Sequence, residues 1–85
     1  MPSSRPVVWS IETWPIDVLA DTIRHDLSDE KVLELVAALK RGFDMPPIFV
    51  LMADGAVKIL DGHHRVVAWK QAGFQAVPVL VGRVK

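Results

Sequence analysis

Apolar side chains recur along this chain with two different periods. Between Ser28 and Gly42, Val32, Leu35, Val36 and Leu39 fall at i, i+3, i+4 and i+7, which places them on one stripe of an α-helix. Ser28 suits the N-cap and Asp29 and Glu30 the first turn, where the helix dipole favours carboxylates. Leu27 is spaced to staple against Val32, and Lys40, Arg41 and Gly42 close the segment. Elsewhere the apolar runs are short and β-branched, at residues 7–11, 48–52, 57–60 and 77–81, and read as strands. In the first of them Trp9 and Ile11 share a face and Val8 takes the other. Ala53-Asp54-Gly55-Ala56 between the two middle runs predicts a hairpin. Trp14-Pro15 predicts the end of the first strand and a short helix to Ala20, because the residue before proline is driven to extended geometry while proline suits a first helical position. Pro78 predicts that the last strand, or at least its start, lies on an edge.

One stretch combines the two periods. A buried-looking run ends at Leu60, and Asp61-Gly62-His63-His64-Arg65 leads into a helix over residues 66–72 that Gly73 stops. The first N–H groups of a helix have no intrahelical partner and carry the positive end of the dipole, so an anion is favoured there. Gly62 lets the backbone approach closely. Arg65 offers a planar fork matched to phosphate oxygens, and His63 or His64 a further donor. The bland alternative makes these first-turn side chains merely solvated. Cations are the wrong sign for a helix start unless an anion joins them, and anion binding is therefore the stronger reading.

Length and composition bound the rest. Eighty-five residues make one small domain, with 1–6 as a polar leader expected to fray and 7–85 as a single domain. An apolar content of 51% is high for that size and leaves surface for a second copy of the chain. No run is long enough to span a bilayer and no signal-like segment opens the chain, so a cytoplasmic setting without a membrane is expected. With no cysteine there is no disulfide, thiolate metal site or cysteine nucleophile. Net charge is zero, yet residues 1–44 carry five Lys/Arg against eight Asp/Glu and residues 45–85 five against two. The central motif sits in the positive half.

In this order the pieces resemble the N-terminal domain of the ParB family, within the ParB/sulfiredoxin superfamily. The helix ending at Gly42 matches that family's helix; Pro47-Ile48-Phe49-Val50 resembles its "P-I-x-V" strand; Ile59 to Ala68, read I-L-D-G-H-H-R-V-V-A, resembles its "I-x-D-G-x-x-R-x-x-A" box; and Gly73 to Val81 resembles its closing "G-x-x-x-(I/V)-P-V-x-V". The resemblance implies an α/β (α+β) fold, a small mixed sheet with two main helices packed on it, in which Gly62, His63, His64 and Arg65 contact nucleotide phosphates and the connector from Arg41 to Pro47 borders the same pocket. The cofactor implied is CTP, ATP or ADP, with Mg²⁺. Relatives differ in chemistry: partition proteins bind and hydrolyse CTP, some relatives are described as nucleases, others move phosphate from ATP or ADP to serine, and sulfiredoxin repairs an oxidised cysteine. The last needs a cysteine where His63 stands.

Three function classes follow. The first is a nucleoside di- or triphosphate-binding domain with weak hydrolysis or phosphotransfer. The second is a DNA-acting nuclease or plasmid-maintenance accessory, disfavoured by neutral charge and by the absence of a reading helix after the last strand. The third is a non-catalytic interaction module. Within the first, Asp61 has two readings, helix cap or Mg²⁺ ligand, and serves as a candidate catalytic carboxylate with Asp26. With His25, Asp26 stands where kinase relatives resemble "H-E", and as general base it would deprotonate an attacking water or hydroxyl. His63 and His64 diverge by about 100° on a helix, so one is expected to face the phosphates and the other to pack or solvate. Arg24, Lys40 and Arg41 are candidate pocket cations. Trp69 reads as core, and Trp9 and Trp14 as core or interface.

Overall fold

The computed structural model describes residues 6–20, 22–23 and 26–84. Along them run β1 (Val7–Pro15), α1 (Ile16–Ala20), α2 (Asp29–Lys40), β2 (Ile48–Ala53), β3 (Ala56–Asp61), α3 (His63–Gln71) and β4 (Ala76–Val84). The strands form one mixed sheet in the order β1-β4-β2-β3. β1 is antiparallel to β4, β4 parallel to β2, and β2 antiparallel to β3.

Period-two alternation decides which sheet face is covered. Val77, Val79 and Val81 of β4, Ile48 and Val50 of β2 and Ile59 of β3 are buried and lie beside one another in register. Against them pack Ile16 and Leu19 of α1, Val32 and Val36 of α2, and Val66, Ala68 and Trp69 of α3. The core is therefore one layer between the sheet and the helices. The stripe read from the sequence is the buried face of α2, capped as expected by the Ser28 hydroxyl, which accepts from the Lys31 N–H at 3.3 Å.

The proline readings hold, each with a refinement. The first strand ends at Trp14-Pro15 and α1 follows to Ala20, although both residues are still paired, Trp14 with Val77 and Pro15 with Ala76; β1 is an edge strand, where a missing N–H need cost no ladder bond. β4 as a whole is central, but its pairing with β2 begins at Val79, one residue beyond Pro78, so the start of the strand lies on an edge, as expected. Of the leader, residues 1–5 lie outside the described residues.

At the β1 end of the helix-facing side no helix covers the sheet, and a polar cluster takes its place. The Arg83 guanidinium donates to both carboxylate oxygens of Glu12, with Nη2 to Oε1 at 3.0 Å. The Trp14 indole N–H donates to Glu12 at 3.0 Å and the Ser10 hydroxyl at 2.7 Å. These bonds, Arg83's first, favour the ionised carboxylate and lower its pKa from 4.5 to about 2. A carboxylate whose folded pKa is depressed contributes stability above its unfolded pKa and loses it as pH falls through the folded one. The stability advantage of the wild type over Glu12→Gln in urea melts is therefore expected to be constant above about pH 5 and to shrink between pH 4.5 and 2. An advantage unchanged at pH 2.5 would refute this.

Candidate functional site

The central motif sits where β3 turns into α3. A register shift at Phe49/Val50 sets Asp61 opposite Phe49, and Gly62 then turns the chain with φ 112°. That backbone conformation suits glycine, and a second constraint falls on the same position. A Cβ on Gly62 would lie 3.1 Å from Nη2 of Arg65 and 3.2 Å from its Nε, so the guanidinium packs over the bare glycine. From there it donates Nη1–H to the Pro46 carbonyl at 3.1 Å and Nη2–H to Oδ2 of Asp61 at 3.0 Å. The Arg65 side chain is 14% exposed and that of Asp61 75%. One guanidinium thus fastens the connector before β2, the end of β3 and the start of α3.

Asp61 does not cap α3. The N-cap is Gly62, with no side-chain hydrogen bond at the cap, because Asp61 is still in the strand and its carboxylate is turned to Arg65. Its reading as metal ligand is unaffected, and it is the carboxylate among the residues lining the cavity described next. A lone carboxylate fits Mg²⁺ that nucleotide phosphates already hold.

A cavity of about 390 Å³ opens at this junction, lined by Leu60 to Arg65, by Pro46, and by Lys31 and Leu35 of α2. The Val66 N–H closes the first intrahelical bond of α3, onto the Gly62 carbonyl at 3.0 Å, so the turn before it presents the positive end of the dipole to this space. His63 and His64 both line the cavity and both are half-buried, where one alone was expected there. His64 has a structural tie as well. Its Nε2 accepts the Ser28 N–H at 3.2 Å, which joins the α2 N-cap to the first turn of α3 and places the ring proton on Nδ1.

Lys31 is the residue that sequence reasoning missed. It lies in the first turn of α2, four residues before Leu35 and on the same flank, and packing of α2 on α3 carries it to the cavity. A signal was present, since a cation in a helix's first turn opposes the dipole, as Arg65 does. The other candidates are not gathered in. Lys40 and Arg41 are exposed at the far end of α2. Of the connector only Pro46 borders this cavity; Gly42 to Met45 line a separate one of about 260 Å³ with Leu39, Trp69, Phe74 and Pro78. Asp26 is exposed before α2 and outside the lining residues. Arg24 and His25 lie outside the described residues. Among the described residues no three His, Asp or Glu side chains cluster as a metal site, and no helix is long and apolar enough to cross a membrane.

The profile of the ParB N-terminal domain matches residues 5–85. The chain belongs to the ParB N-terminal domain family. Solved structures agree with this fold. Sulfiredoxin from Arabidopsis thaliana is 23% identical with a TM-score of 0.66, over 85% of this chain and 83% of that one. A C-terminally truncated chromosome-partitioning protein ParB from Caulobacter crescentus, complexed with CTP-γ-S, is 23% identical with a TM-score of 0.67, over 89% of this chain and 46% of that one. A pNOB8-like ParB N-domain is 19% identical with a TM-score of 0.62, over the whole of this chain and 31% of that one. This ParB N-terminal domain thus spans less than half the length of the two ParB chains. No curated protein matches it. In family terms, the I-L-D-G-H-H-R box is the β3–α3 junction and "P-I-F-V" is the entry to β2.

Proposed function

We propose that the cavity at the β3–α3 junction binds the phosphates of a nucleoside di- or triphosphate. One observation carries the reading: Lys31, Arg65, two histidines and the N-terminus of α3 converge on one 390 Å³ space with a single lining carboxylate. Such a set attracts an anion more than any neutral ligand, and the volume lies within the range of small-molecule sites. Arg65 is already oriented by Pro46 and Asp61, so little ordering remains to be done on binding. The CTP-γ-S bound to the Caulobacter ParB, a chain of the same fold, adds support for a nucleotide over free phosphate. The choice among CTP, ATP and ADP stays with the assay.

Weak hydrolysis or phosphotransfer in a cytoplasmic setting completes the proposal. Mg²⁺ bound beside Asp61 would neutralise charge on the phosphates. Lys31, Arg65 and the α3 N–H groups would stabilise charge on the transferred phosphoryl oxygens. Asp61, the carboxylate on the cavity, would take the proton of the attacking water or hydroxyl; Asp26, outside the lining residues, would need to be brought to it for that role.

The test is a thermal-shift and calorimetric panel of ATP, ADP, CTP and GTP, with and without Mg²⁺. A ligand that binds the folded state raises its Tm by mass action. Lys31→Ala separates binding from folding, because this exposed side chain has no place in the core. It is expected to weaken the best nucleotide about tenfold with the Tm of the unliganded protein unchanged. A panel without any shift, or a Lys31→Ala variant that binds like wild type, would count against the site.

A further inference from the structure

Both long helices end on the same two residue types. Gly42 and Gly73 turn the chain at φ 86° and 93°, and Phe43 and Phe74 follow them. At each end the glycine N–H returns to the carbonyl three residues back, Leu39 at 3.0 Å and Lys70 at 3.1 Å. The phenylalanine N–H returns to the carbonyl five back, Ala38 and Trp69, both at 3.0 Å. In such an end the residue after the glycine usually lays an apolar side chain against the helix it has left. Here both rings stay largely in water, Phe43 at 62% and Phe74 at 47% exposure. Both line the 260 Å³ cavity, whose buried side is made by Trp69 and Met45. One aromatic ring from each helix end and one from the core thus meet at a single opening, which shares no lining residue with the nucleotide cavity.

We propose that this second cavity binds an arginine side chain presented by a segment of a partner protein. Asp44 is the one charged residue among those lining it, and among the described residues no cation is paired with it. Lys40, Arg41 and Lys70 stand at the helix ends, where cations answer the negative ends of the dipoles. They are exposed and outside the lining, Lys70 lying beyond Phe74 with Asp17 in the next cavity, so Asp44 decides the sign of the charge inside. A guanidinium meets each demand of this set. It stacks on aromatic rings and its planar fork fits a carboxylate, while the aliphatic stem covers Leu39, Met45 and Pro78. A neutral apolar side chain would leave Asp44 unused, and an anion would face it. A free amino acid would bring an α-ammonium and an α-carboxylate to a lining with one charge in all. Within a peptide both are gone, which selects a partner segment as the source.

Amide NMR of the isotopically labelled full chain, followed as a capped Gly-Arg-Gly peptide is added without nucleotide, tests this. Saturating shifts are expected at Phe43, Asp44 and Phe74, with a Kd on the order of 1 mM, the scale of one small side chain. The peptide with citrulline in place of arginine, similar in shape and neutral, should bind at least about fivefold more weakly. Phe43→Leu, which keeps an apolar group at an exposed position, and Asp44→Asn should each weaken the arginine peptide about threefold with Tm unchanged. The absence of saturating shifts at these residues would overturn the proposal. So would a citrulline peptide that binds as tightly as the arginine one, or an affinity that both variants leave intact.

Discussion

Arg65→Ala is expected to weaken nucleotide binding about 100-fold and to lower stability by about 1–2 kcal/mol. Two effects add because the guanidinium has two jobs. As a tie it donates to the Pro46 carbonyl and the Asp61 carboxylate. Asp61 is well exposed and regains water when the partner goes, so the stability loss stays at the low end for a charged hydrogen bond. As a ligand it supplies a charge-assisted fork that no other lining residue can replace. Arg65→Lys keeps the charge and loses the fork, and is expected to fall between wild type and alanine. Calorimetry with the nucleotide chosen from the panel, alongside urea melts, reads both effects. A variant that loses 1–2 kcal/mol of stability yet binds nucleotide like wild type would leave Arg65 as a structural tie only.

The largest loss of stability is expected from Trp69→Ala. Trp69 lies on α3 at 4% exposure, inside the core layer, and its backbone carbonyl accepts the Phe74 N–H at 3.0 Å, which closes the helix end. Truncating a buried tryptophan costs about 3–5 kcal/mol. A chain of this length has roughly 4–13 kcal/mol in all, so the loss removes from about a quarter to all of the stability. The neighbouring 260 Å³ cavity, which Trp69 already lines, would be enlarged by the truncation. Trp69→Phe, which keeps an aromatic ring in the space, should lose less than half as much. Urea denaturation followed by circular dichroism is the check, and an alanine variant within about 1 kcal/mol of wild type would show that the core repacks there.

Much of this fold was legible because its signals are local. The α2 stripe, its Ser28 cap, the hairpin between residues 53 and 56 and the glycine before α3 each depend on a few neighbouring side chains. The four ordered motifs from the α2 helix to the closing strand were enough to indicate the family. What local signals leave open depends on distant neighbours. The missing N–H of Pro78 marks an edge at the start of β4, but that the rest of the strand is central depends on where β2, about thirty residues earlier, begins to pair. Local sterics at Trp14-Pro15 mark the end of β1, while nine consecutive pairings with β4 keep both residues in the sheet. Asp61 had the composition of a cap and was claimed by Arg65 across one turn.

The candidate site divides along the same line. Gly62, His63, His64 and Arg65 are contiguous, and their chemistry and their place at a helix start could be read without a structure, because a strand, a glycine and a helix in sequence leave the first-turn N–H groups pointing outward. Lys31 and Pro46 come from segments 34 and 19 residues before Arg65, and only the packing of α2 on α3 and the path of the connector set them on the same cavity. The same holds for the sheet face opposite the helices. Alternation along each strand assigned Trp9 and Ile11 to one side, while the β1-β4-β2-β3 order and the choice of which side the helices cover determined that this side faces water. Local patterns set which groups a segment can offer; non-local pairing, decided by total core burial, sets which of them meet.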